Sequence, residues 1–82
     1  MATKHDLGDW VVEALRAHGG SARIPEICSH VWSSHEAELR SSADLFFTWQ
    51  YDIRWAATAL RQGRVLKAAE ISPHGVWELV DS

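Results

Sequence analysis

One cysteine, Cys28, is all that 82 residues offer, so no disulfide can staple the chain. Packing must therefore hold the fold, and a reducing cytoplasmic interior is the simplest compartment. No long apolar run exists to span or leave a membrane, so no membrane partner is expected. Asparagine is absent, and with it the residue that an HNH nuclease normally places between histidines to orient one of them. Lysine occurs only as Lys4 and Lys67, and the residues two places earlier are Ala2 and Val65. The acidic-x-lysine pairing of a PD-(D/E)xK nuclease is thus missing too. A Ser/His/Asp arrangement would need a shaped pocket that so small a core can hardly supply. Cys28, His30, His35 and His74 lack the spacing of a zinc site, so neither metal nor cofactor is expected. The chain reads as a non-enzyme, and any catalysis would belong to another domain.

What is present suits one ordered domain over residues 1–82. Apolar residues make up 46% of the chain, charged residues 23%, and five are tryptophan, a composition well outside the disordered class. The formal charge is −3, which argues against a uniformly basic surface and makes its distribution the useful quantity. Residues 1–45 hold four basic and seven acidic side chains, and residues 69–82 hold three acidic ones. Residues 46–68 hold Arg54, Arg61, Arg64 and Lys67 against Asp52 alone. The only cationic stretch therefore lies in the second half.

Between Asp6 and His18, Leu7, Val11, Ala14 and Leu15 form the stripe of an amphipathic helix, with Asp6 as a candidate N-cap and Gly19-Gly20 as its stop. Ser21 to Ile24 can form a very short strand. Pro25 suits the first turn of a second helix bearing Ile27, Cys28, Val31 and Trp32 on one side, fading near Ser33 to His35. Residues 36–47 are weakly periodic and read as a connection with a partial helical turn. A third helix is predicted from Thr48, its N-cap, to Gln62, with Trp49, Ile53, Ala56, Ala57 and Leu60 inward and Gly63 closing it. Val65–Ala68 and Val76–Val80 read as two strands of a hairpin around Ser72, Pro73 and Gly75. The predicted fold is mainly α with a small β-hairpin: a winged helix-turn-helix of three helices and a two- to three-stranded antiparallel wing.

Helical spacing places Gln50, Arg54, Thr58 and Arg61 on one polar stripe, with Tyr51 at its edge. In such folds this helix enters the major groove, where Gln pairs with adenine and Arg with guanine, making Gln50 and Arg54 the base-reading candidates. Arg61, Arg64 and Lys67 are candidates for phosphates, as are Ser72 and His74 in the 69–75 wing loop. Thr48, Trp49 and Tyr51 occupy the first turn, where an exposed ring could meet a thymine or 5-methylcytosine methyl group. The plain alternative is that the stripe is only the solvated face of a helix. Trp10, Trp32 and Trp77 lie on or beside apolar stripes and read as packing residues.

The run WQYDIRWAATALRQGRVL followed by GVWEL resembles the N-terminal winged-helix domain of Mrr-type, modification-dependent restriction endonucleases. Trp49, Arg54, Trp55, Ala56, Leu60, Gly63 and Gly75-Val76-Trp77 carry the likeness, and ALRAHGGSARIPEICSHVW extends it more loosely through the first half. Residues 36–47 match no pattern of that family. The resemblance implies a sensor that brings a nuclease domain of the same parent protein to double-stranded DNA, with methylated cytosine as the feature read. The rival from another class is a protein-interaction or dimerisation winged helix, in which Trp49, Tyr51 and Leu45-Phe46-Phe47 pack on a partner. A reader of RNA or of Z-form duplex is a third option.

Overall fold

The computed structural model describes residues 4–80. Three helices, α1 (Lys4–Ala17), α2 (Ile24–Arg40) and α3 (Asp44–Gln62), surround a core closed by two short strands, β1 (Ser21–Arg23) and β2 (Val76–Glu78). The expected stripes form that core: Leu7, Val11, Ala14 and Leu15 of α1 meet Ile53, Ala56 and Ala57 of α3, and Ile27 and Val31 of α2. This is a winged-helix arrangement, mainly α with a small antiparallel sheet.

Helix α1 ends as Gly19-Gly20 predicts. Gly19 takes φ 82°, and the Gly20 N–H reaches the Leu15 carbonyl at 2.6 Å while that of Gly19 reaches Arg16 at 3.2 Å. That pair of bonds satisfies carbonyls that a helix end leaves open. Helix α3 ends with the same pair, Val65 to Leu60 and Arg64 to Arg61, but the left-handed residue is Arg64 (φ 62°) and not Gly63 (φ −83°). An L-residue bears that conformation at a cost a glycine would not incur.

The largest departure from expectation lies in residues 36–47. Helix α2 runs on to Arg40 with a break at His35 (φ −130°, ψ 21°), and α3 begins at Asp44, leaving only residues 41–43 as connection. Thr48 is therefore one turn inside α3, where its hydroxyl donates to the Asp52 carboxylate at 2.7 Å instead of capping. Asp6 likewise sits within the first turn of α1, where its charge favours the helix N-terminus. The weak periodicity has a simple origin: the helix axis changes at His35 and again at 41–43, so no hydrophobic repeat lasts more than about two turns. Leu39 and Leu45, buried on either side of the connection, tie both pieces to the core. The hydroxyls of Ser41 and Ser42 donate to the Glu38 carbonyl and end α2.

The break at His35 is clamped. Its ring stacks on Trp10 at 4.0 Å with planes 8° apart, and its Nε2 and Nδ1 lie 2.7 Å from Glu13 and 3.0 Å from Glu38. With a carboxylate at each nitrogen, only the doubly protonated ring can donate to both. Burial, the largest single influence, disfavours that cation. The hydrogen bonds and charges of Glu38 and Glu13 together outweigh it and raise the His35 pKa.

The hairpin expected between Val65–Ala68 and Val76–Val80 is only partly built. Strand β2 pairs instead with β1, in the register Ser21 with Glu78, Ala22 with Trp77 and Arg23 with Val76. The 65–68 segment adds a single bridge, Leu66 to Leu79, flanked by bonds from Lys67 to Glu78 and from Val80 to Val65. The ladder stops there because the Ala68 carbonyl is taken by the amides of Ile71 and Ser72 in a turn.

Candidate nucleic-acid interface

Helix α3 turns about 100° per residue, so its outward face divides lengthwise into two edges. Gln50, Arg54 and Arg61 follow one edge and Phe47, Tyr51 and Trp55 the other, with Thr58 between them. Gln50, Arg54 and Thr58 are all exposed, as the polar stripe predicts. Opposite the basic edge stands the 68–75 loop, held in place by two bonds. Val76 donates to Pro73 at 3.1 Å across a β-turn in which Gly75 supplies the required φ of 78°. Ile24 donates to Gly75 at 3.1 Å, pinning the turn to the start of α2.

The result is a cleft of about 390 Å³ whose rim gathers Arg54, Thr58 and Arg61 from α3 and His74 from the loop, over a floor that includes Ala57 and Trp77. These four come from the sequence-predicted set, and only the fold brings His74 to the other three. Arg61 is half-buried, and its Nε is shielded from solvent without a hydrogen-bond partner. Arg54, Arg61 and Arg64 form no ion pair among the described residues.

Other candidates are placed differently. Trp49 is only 5% exposed and stacks on Trp32 with centroids 6.1 Å apart, so its ring belongs mainly to the core stripe. Ser72, expected at the loop tip, is 8% exposed with its hydroxyl turned inward and unbonded. The cause is the turn at Ala68, which folds the loop back onto the domain. Lys67 lies on the sheet side with its Nζ 3.7 Å from Glu78, which takes up part of its charge. Arg64 is exposed past the end of α3. Gln50 borders a separate groove of about 570 Å³ between α2 and α3, lined also by Cys28, Trp32, Phe46 and an edge of Trp49. Burial pushes the Cys28 thiol up despite the opposing charge of Arg54, which keeps it protonated and unreactive.

Two exposed residues went unassigned in the sequence reading. Phe47 entered it only within the Leu45-Phe46-Phe47 patch, and Trp55 only within a motif. Their signal was available: Phe47, Tyr51 and Trp55 recur at i, i+4 and i+8, out of phase with the buried stripe of Trp49, Ile53, Ala56 and Ala57. Among the described residues no group of three or more His, Cys, Asp or Glu side chains could hold a metal ion, and no helix is long and apolar enough to cross a membrane. The arrangement is one of exposed cations and hydrogen-bond donors on a helix beside a pinned loop, a geometry for binding. Compared with protein-family models, curated proteins and solved structures, the chain has no match in any of the three.

Proposed function

We propose that this domain binds double-stranded DNA, with the basic edge of α3 in the major groove and the 68–75 loop against the backbone. The observation that carries this reading is the cleft: Arg54, Thr58, Arg61 and His74 converge there, and among the described residues the arginines have no carboxylate to neutralise them. In this reading Gln50 and Arg54 reach base edges, while Arg61, Arg64 and His74 meet phosphates. On the same reading the exposed Tyr51 ring meets the C5-methyl group of a modified cytosine. With the Arg54-Trp55-Ala56 and Gly75-Val76-Trp77 elements, this supports a sensor of modified cytosine resembling that of Mrr-type endonucleases, working with a nuclease domain of the same parent protein.

The test is a titration of otherwise identical plain, methylated and hydroxymethylated duplexes at several salt concentrations. Duplex affinity should fall steeply with salt, because each phosphate contact releases counterions. A salt-independent affinity, or none, would remove the duplex reading. Equal affinity for the three duplexes would remove the modified-base reading alone.

A further inference from the structure

The second edge of α3 has no part in that reading beyond Tyr51. Phe47 is 83% exposed, Tyr51 78% and Trp55 41%. At four residues per step they climb α3 in rises of about 6 Å, roughly the reach of one nucleotide in an extended strand. Phe47 packs edge-on against Phe46 at 5.0 Å and Trp55 edge-on against His5 at 5.6 Å, contacts that orient two of the rings. Tyr51, Asp52, Arg54, Trp55 and Thr58 also share one shallow depression, so two rings, a cation and a carboxylate already bonded to Thr48 border the same surface.

Three exposed rings beside uncompensated arginines call for a partner that is both flat-faced and anionic. A closed duplex can offer a ring a methyl group at a base edge but no base face to stack on, since its bases are stacked on one another. Unpaired bases have free faces, and stacking on aromatic side chains with phosphates on nearby cations is how single strands are held without sequence preference. We propose that Phe47, Tyr51 and Trp55 form a stacking ladder for unpaired nucleotides, with Arg54 holding the phosphates, so that the domain binds single-stranded nucleic acid along α3. This mode shares Arg54 and Tyr51 with duplex binding but runs along the adjacent edge of the helix and needs neither Gln50 nor the 68–75 loop.

The experiment is fluorescence anisotropy of labelled oligothymidine, oligouridine and duplex DNA of about 15 nucleotides or base pairs, a length near the upper site size of a small module. The full chain is compared with the double variant Phe47→Ala/Tyr51→Ala and with Tyr51→Phe, their folding verified by thermal melts. Wild type should bind the single strands, and the double variant should lose at least about tenfold in that affinity while Tyr51→Phe stays within about twofold. Stronger binding of oligouridine than of oligothymidine would assign the ladder to RNA, and the reverse to DNA. Loss of single-strand binding in the double variant supports the ladder whether or not the duplex binds. The proposal is overturned if neither strand binds, or if removing the rings leaves single-strand affinity unchanged. It is also overturned if sedimentation shows a wild-type dimer that the double variant dissolves, with no strand affinity in either protein.

Discussion

The two sides of this small domain use charge in opposite ways. At the junction of α1 and α2, His35 sits between Glu13 and Glu38 over the Trp10 ring, and Arg40 binds Glu36 at 2.7 Å. Along the outer face of α3, Arg54 and Arg61 meet no carboxylate among the described residues, and one guanidinium nitrogen is buried without a partner there. The first set holds a broken helix in place and is complete. The second leaves its cations without a carboxylate among the described residues, the feature on which the proposed anionic partner rests. A net charge of −3 conceals this division entirely.

The contrast can be broken most severely on its structural side. Trp10→Ala removes both a core side chain, 7% exposed, and the plate on which His35 rests. It should cost about 3–5 kcal/mol of unfolding free energy, measured by denaturant titration. An effect below about 1 kcal/mol would show that the clamp is not structural. Next in size, Arg54→Ala should leave stability within about 0.5 kcal/mol while weakening duplex binding by about 1–3 kcal/mol and relaxing base preference. Affinity unchanged at fixed salt would sink the assignment of that edge.

His35→Gln should cost about 1 kcal/mol at acidic pH, the net worth of its charge-assisted contacts to partly exposed glutamates. The sign follows from the raised pKa. The clamp's stabilisation is fully present below the ordinary histidine value of about 6.5 and is lost as pH rises through the higher folded value. Unfolding free energy of the wild type, measured from pH 5 to 9, should therefore fall more steeply across that window than that of the variant. Parallel profiles would assign the slope to other groups. Smallest in effect, Arg64→Gly should stabilise by about 0.5–1 kcal/mol, since glycine accepts φ 62° without strain. If Arg64 serves a phosphate, the same variant will bind duplex more weakly while melting at a higher temperature.

Much of this was legible from local patterns. Leu7, Val11, Ala14 and Leu15 all lie in the core, Gly19-Gly20 ends α1, and Ile53, Ala56 and Ala57 face inward. Periodicity and turn chemistry are properties of a few neighbouring residues, so a single helix reveals them. Residues 36–47 resisted because their helices change direction at His35, under a clamp whose partner Glu13 lies 22 residues earlier. The sheet resisted for a similar reason, since the segment nearest to β2 in sequence lost the pairing to β1, far away in the chain. Of the site, the basic edge of α3 was readable from spacing, whereas the positions of Ser72 and His74 depended on how the 68–75 loop folds back.

By itself, then, the sequence determined which faces of the helices are apolar, where two helices stop and where the positive charge is concentrated. Each of these follows from local backbone geometry and side-chain chemistry. Only the tertiary structure decided that His74 joins Arg54, Thr58 and Arg61 at one cleft, that Ser72 is turned inward, and that β2 pairs with β1. Those outcomes depend on which segments compete successfully for the same interior and the same backbone partners, and that competition is settled between parts of the chain that no local window contains together.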